Sequence, residues 1–445
     1  MPRNEVSMRR RWIHCALMAG ATLALAAPAV GVPPEWTPSA VQTMTSVGDF
    51  DVVDVSVGRG GAATVGVTRI TPEGVVPGVL ERSARGPRWS RPTALGGATR
   101  IDFGPIVARN RRGDAVAVWA KVNGPVMAAV RFGKRWSRPV SVGTTLPSAS
   151  GEDASSVLRT AMGPDRRARA AVRTCGRTGC RVDLLRLRRP AKAVWERVGR
   201  LSTPRGSGAS FDWALGQDGD LLVAWRQGRR VLALDVPASA KVVSARPRRL
   251  PVGDARGRVT ADVVGRGTAA VGWSTLKGAA GTSVRLGGES NWRAARRTFR
   301  PAGASDPRVA VGCAGGVYLS WSEKGRVVRA ATAAGTEGLF APPFEVRTYG
   351  DETKPVSVWD VEVLGRSGFG MTIWRRADDA GAGAVGSLLG NRSQYAGRGQ
   401  GFSGEYRQGP RPAFNDDGQG LLVRLADDGV HFQEYVPGET VLRCA

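Results

Sequence analysis

Ala115-Val-Ala-Val-Trp119 returns along this chain in recognisable copies: Leu221-Leu-Val-Ala-Trp225, Thr268-Ala-Ala-Val-Gly-Trp273, Gly316-Val-Tyr-Leu-Ser-Trp321 and Gly370-Met-Thr-Ile-Trp374. Weaker copies are Ala63-Thr-Val-Gly-Val67, Ala168-Arg-Ala-Ala-Val-Arg173 and Leu421-Leu-Val-Arg-Leu425. The ends of successive copies lie 52, 54, 52, 48, 48, 53 and 51 residues apart. Small and β-branched residues in such short runs suit strands covered on both faces. A repeat of this length, made of strands and turns, has the size of one propeller blade.

The unit around Trp119 shows the expected plan. Ile101–Ala108 reads as a first strand, Asn110–Asp114 as a turn and Ala115–Trp119 as the second strand. Val126–Arg131 reads as the third strand and Arg135–Val140 as a short outer fourth. Proline after the outer strand is tolerable because that edge has no ladder partner. The outer phrase recurs as Pro87-Arg-Trp-Ser-Arg-Pro92 and Arg135-Trp-Ser-Arg-Pro139, and an early copy, Glu35-Trp-Thr-Pro38, precedes any complete unit. The last unit ends near Val436 without such a phrase. The expectation is a ring closed by an amino-terminal strand that joins the final blade, which hides the edges of an open array. The chain thus reads as all-β, a β-propeller of four-stranded antiparallel blades over 31–445, with eight blades favoured and seven left open. A tandem immunoglobulin-like array would need linkers that are missing, and the coils of a β-helix are much shorter.

Trp119, Trp225, Trp273 and Trp321, with Trp374, are expected to be structural, each ring lying across a neighbouring sheet. Residues 1–30 read as a signal peptide: Arg3 and Arg9-Arg-Arg11 precede an apolar stretch from Trp12, and small residues follow at Ala26-Ala-Pro-Ala29. An uncleaved anchor is the competing reading of that stretch. An exported chain permits disulfides, so Cys175 with Cys180 across the turn Gly176–Gly179, and Cys313 with Cys444, are the expected pairs. Zinc is disfavoured, since no histidine stands near Cys175 and no second short-spaced cysteine pair exists.

With 64 Lys and Arg against 38 Asp and Glu, the formal net charge is +26, almost all of it arginine. Such a surface attracts polyanions. The tryptophans keep core periodicity instead of interleaving with arginine, which argues against nucleic acid. Beyond residue 30 the only histidine is His431, and no Gly-x-Ser-x-Gly elbow precedes it, so a Ser-His-Asp triad has little to build on. Asp102, Asp212, Asp262 and Asp306 all fall where a first strand begins or runs, at a rim or channel position suited to ligand binding. The competing reading has each of them capping a turn.

Asp427-Asp-Gly-Val-His-Phe432 resembles the Asp-box of sialidase-like propellers: Asp427 meets its aspartate, Gly429 its glycine and Phe432 its aromatic, while Leu425 stands where serine belongs. In repeat plan the chain looks like an exported bacterial propeller, distantly sialidase-like. The resemblance implies a fold and no particular chemistry. Tyr318, inside an apolar strand, reads as core and not as a sialidase-type nucleophile. The expected function is non-catalytic. It is that of a monomeric binding or scaffold propeller, secreted or at the cell surface, without cofactor or metal. Its rim loops would hold a protein or an acidic envelope polysaccharide. Two alternatives stand beside it, a glycan-directed hydrolase or lyase with carboxylates at the channel mouth, and an envelope protein with no discrete ligand.

Overall fold

The computed structural model describes residues 42–44 and most of 50–435. Undescribed are 1–41, 45–49, 146–156, 203–210, 238–245, 295–303, 334–342, 349–355, 377–383, 403–407, 436–445 and shorter stretches at several turns. The chain divides into Met1–Val32 and Pro33–Ala445. The first of these, with the expected signal peptide, lies wholly outside the described residues, and every described strand belongs to the second.

The described strands pair into eight antiparallel sheets, mostly four-stranded, in a β-propeller arrangement. Numbered along the chain, the sheets begin with the strands Phe50–Val57, Ile101–Arg109, Leu158–Met162, Phe211–Leu215, Ala255–Val264, Ala304–Val311, Val356–Leu364 and Gln408–Phe414. Each of these first strands packs beside the first strand of the next sheet, and Gln408–Phe414 packs back against Phe50–Val57. These first strands therefore line up side by side around a common axis. Ring closure falls where the sequence places it: Gln42–Met44 pairs with Gly429–Tyr435 in sheet 8, with Gln42 opposite Phe432 and Met44 opposite Val430.

The core lies between sheets. One apolar cluster joins Phe103, Ile106 and Val118 of sheet 2 to Leu158, Val172 and Leu185 of sheet 3. Another joins Val55, Val65 and Leu80 of sheet 1 to Leu421, Val423 and Phe432 of sheet 8. Trp119, Trp225, Trp273 and Trp321 are all buried in such interfaces. Trp374 lies in the second strand of sheet 7, and its side chain is outside the described residues. Close approach of sheets also explains Gly66, where a Cβ would stand 2.0 Å from the Pro105 carbonyl oxygen.

Two expectations need correction. The outer strand of sheet 2 is Val140–Thr145, beyond the tryptophan phrase, while Arg135–Trp136 is a short extra rung on Pro125–Phe132. The reason is the serine in the phrase. Ser137 gives its backbone N–H to the Val130 carbonyl at 2.8 Å and accepts the Val130 N–H on its hydroxyl at 3.1 Å, so one residue replaces a ladder step. Ser90 does the same on Glu81, at 2.7 and 3.0 Å. The second correction concerns the disulfides, since none is present among the described residues. Cys175 and Cys180 do stand opposite each other, but their hairpin is already closed by a continuous backbone ladder from Arg169↔Arg186 to Gly176↔Gly179. Cys313 and Cys444 lie outside the described residues.

Candidate functional site

Of the aspartates singled out from the sequence, Asp212 and Asp262 bond strands and not turns. Asp212, on the first strand of sheet 4, accepts the N–H of Trp213 at 2.9 Å on one oxygen and the N–H of Ala261, in sheet 5, at 2.9 Å on the other. Asp262 repeats this one sheet on, accepting from Val263 at 2.9 Å and from Val311 at 2.8 Å. Asp54, which the sequence did not single out, accepts the Val107 N–H of sheet 2 at 2.8 Å. Each carboxylate thus ties two neighbouring first strands together at edges the sheet ladders leave open. Burial pushes Asp54 and Asp262 up to about 6, against the amide bonds and arginines that pull them down. The side chains of Asp102 and Asp306 lie outside the described residues.

These clamps occupy both oxygens of Asp212 and of Asp262. Two of the roughly four acceptor sites of each carboxylate are thus committed to the backbone. Asp212 and Asp262 therefore have a structural task between neighbouring sheets.

A different group of residues lines a half-open cleft of about 440 Å³, counted with its open mouth, between sheets 4 and 5: Asp220, Leu221, Asp235, Val236, Pro237, Val263, Gly267 and Arg285. Asp220 closes the tight turn of sheet 4, in which Gly216 donates to the Asp220 carbonyl at 2.8 Å. Asp235 sits near the end of the third strand of sheet 4, two residues before Pro237 ends the ladder. Arg285 ends the third strand of sheet 5 and crosses to Asp235, Nη2 to Oδ1 at 3.0 Å. Gly267, at φ +73°, adopts a backbone shape that L side chains rarely take and leaves the space between the Asp220 carboxylate and the Arg285 guanidinium open.

Charge alternates through this region. Arg169 of sheet 3 packs over Gly219, where a Cβ would stand 2.0 Å from its Cδ; burial lowers its pKa, and Asp165 and Asp220 oppose that fall. Burial raises Asp235, and the guanidiniums of Arg285 and Arg248 oppose that rise. The cleft therefore offers two carboxylates and a guanidinium above a wall of Leu221, Val236, Pro237 and Val263. None of these residues stood out in the sequence, because Asp235 and Arg285 lie 50 residues apart and meet only through sheet packing.

The Asp-box match is partly visible. Asp427 lies outside the described residues. Gly429 opens a strand, and Phe432 is buried and stacks on Trp89 of sheet 1 with ring centroids 4.0 Å apart. Tyr318 is buried, its hydroxyl 2.8 Å from Thr372 Oγ1 in sheet 7, as its core placement requires. Among the described residues no group of three His, Cys, Asp or Glu side chains is disposed to hold a metal ion, and no helix is long and apolar enough to cross a membrane.

No protein-family model and no curated protein matches the sequence. Solved structures do match in shape. The WD40 domain of SCAP from fission yeast aligns over 90% of this chain and 99% of its own, at 8% identity and a TM-score of 0.51. The Dos1 propeller aligns over 90% of this chain and 95% of its own, at 9% identity and a TM-score of 0.48. The polysaccharide lyase Uly1 aligns over 87% and 90%, at 10% identity and a TM-score of 0.46. At such identities the likeness is one of fold: this chain is a β-propeller, similar in architecture to the SCAP domain.

Proposed function

We propose that each of the eight sheets is one blade, and that the chain is an exported, non-catalytic, monomeric binding propeller whose ligand is a carbohydrate held in the cleft between sheets 4 and 5. The observation that carries this reading is the donor and acceptor set of Asp220, Asp235 and Arg285 over an apolar wall. Sugar hydroxyls donate to carboxylates and accept from guanidinium, while C–H faces pack on aliphatic surface. The Asp235–Arg285 pair fixes the carboxylate and opposes the rise that burial causes, which suits recognition better than proton transfer. Export rests on the basic, apolar and small-residue order of 1–30, and the +26 net charge favours an acidic polysaccharide. A discrete cleft counts against a purely structural envelope role.

A glycan screen followed by calorimetry tests this. Asp235→Asn is expected to weaken the best ligand about tenfold or more. An unchanged affinity, or no glycan bound at all, rejects the reading.

A second reading has one specific support, since two carboxylates share the cleft and burial raises one of them, as a general acid requires. Release of reducing ends, or of unsaturated uronate absorbing in the ultraviolet, that Asp235→Ala abolishes would establish a glycan hydrolase or lyase instead.

A further inference from the structure

The wall of the cleft between sheets 4 and 5 has a void at Gly267, one residue before the second strand of sheet 5, Thr268–Thr275. At φ +73° the backbone there is left-handed, a shape in which a side chain is strained. A Cβ built on Gly267 would meet Asp220 Oδ2 at 3.5 Å and Arg285 Nη1 and Nη2 at 3.6 Å each, with no nearer atom beyond its chain neighbours. These are ordinary van der Waals distances. The missing side chain thus leaves room for one heavy atom between a carboxylate from sheet 4 and a guanidinium from sheet 5.

The charges around this void already have opposite neighbours. Arg285 gives Nη2 to Asp235 Oδ1 at 3.0 Å and Nη1 to the Glu289 carbonyl at 3.4 Å, which commits two of its five donors. The Asp220 carboxylate acts on Arg169 of sheet 3. A ligand carboxylate in the void would gain the guanidinium and be repelled by Asp220. A ligand ammonium would gain Asp220 and be repelled by Arg285. An uncharged group that donates on one side and accepts on the other suits both, and a hydroxyl does so with one heavy atom. The aliphatic side chains of Leu221, Val236 and Val263 line the same cleft and take the C–H face of the ring that carries it.

We infer that Gly267 determines specificity: its void seats one hydroxyl of an uncharged sugar unit, and the charges of Asp220 and Arg285 turn away uronates and amino sugars. This rests on the carbohydrate reading of the cleft and narrows it. An acidic polymer would seat a neutral unit here and lay its acid groups on the arginine-rich surface outside. Alanine at 267 fills the void without displacing a side chain, so it competes with the ligand and not with the packing. Its backbone strain is matched at Gly228, φ +62°, where an added Cβ meets nothing within 4 Å. Gly228 lies in the turn after Gln227, at the end of sheet 4's hairpin away from Leu221 and Val236.

Full-length protein is titrated by calorimetry with the methyl glycosides of glucose, galactose and mannose, and with those of the matching uronic acids and 2-amino sugars, at constant ionic strength. At least one neutral glycoside is expected to bind saturably, and its charged counterparts about tenfold or more weakly. Gly267→Ala is expected to weaken that glycoside about tenfold or more, while Gly228→Ala keeps the wild-type affinity. Asp220→Asn, which removes the repulsion and keeps the size, should shift the preference several-fold towards the uronic acid. Should Gly267→Ala fail to fold, the charge series and the Asp220→Asn shift still decide. Equal binding of neutral and charged sugars, or binding by Gly267→Ala equal to the wild type, overturns the inference. If Asp235→Asn weakens binding in that case, the carbohydrate reading of the cleft stands without it. Saturable binding of none of the sugars rejects both.

Discussion

Asp262 does at one position what a sheet cannot do for itself. First strands of adjacent blades turn their edges to the axis, and the amides there have no ladder partner across the gap between blades. A carboxylate one residue ahead of its own amide reaches both that amide and the equivalent one next door, Val263 and Val311. The same carboxylate is desolvated, and this sets a pH dependence of unusual direction. Its folded value of about 6 lies above the ordinary 3.8, so the folded chain holds the proton more tightly than the unfolded one. The contribution is fully present below the unfolded value and is lost as pH rises through about 6. Asp54 behaves alike. Urea unfolding of the wild type and of Asp262→Asn at pH 4.5 and 7.5 checks this. On acidification the stability difference is expected to move in the wild type's favour, by on the order of 1–3 kcal/mol. A difference independent of pH would contradict the clamp's desolvation.

At the scale of the element, the turn between first and second strands acts as a bolt. Asn415 folds its own turn by accepting the Gln419 N–H at 2.9 Å, and its amide nitrogen donates at 2.7 Å to the Gly58 carbonyl, at the matching turn of sheet 1. Asn110 does the same two interfaces on, between sheets 2 and 3, donating at 2.9 Å to the Gly163 carbonyl. Asparagine serves both tasks because its side chain carries acceptor and donor together. Gly58 receives it at close quarters, since a Cβ there would lie 3.2 Å from the Asn110 carbonyl oxygen. Asn415→Ala is expected to cost about 1–3 kcal/mol, because it leaves buried groups without partners. Asn415→Asp, which sets a buried carboxylate oxygen against the Gly58 carbonyl in place of a donor, should cost at least as much as the alanine variant. Chemical denaturation midpoints report both.

At the scale of the molecule, stability depends on closing the ring. Sheets 8 and 1 join through the cluster of Val55, Leu80, Leu421 and Phe432, through the Arg82–Glu434 ion pair and through the Asn415 bolt. The strand Gln42–Met44 then covers the open edge of Gly429–Tyr435. Removing 1–46 exposes that edge, a template for pairing with another chain. The truncated protein is expected to melt at a lower temperature and to self-associate in size-exclusion chromatography with multi-angle scattering. A monomer as stable as the full chain would show that the amino-terminal strand is dispensable.

The sequence by itself determined the all-β class, the repeat and the closing strand, because these are written in local patterns: short apolar runs, turn residues and a tryptophan at a constant place. It also marked Asp212 and Asp262, to which the structure adds a task between sheets. What only the tertiary structure decided is which residues meet. Asp212 accepts the N–H of Ala261 across the gap to the next sheet, a contact that nothing local in the sequence marks. The Ser137 clasp displaced the outer strand by a few residues, which no propensity signals. Asp235 and Arg285 look in the sequence like two of many charged residues. Packing sheets around an axis brings positions about fifty residues apart to one level or one cleft. That juxtaposition depends on inter-sheet packing, a long-range property that strand periodicity does not encode.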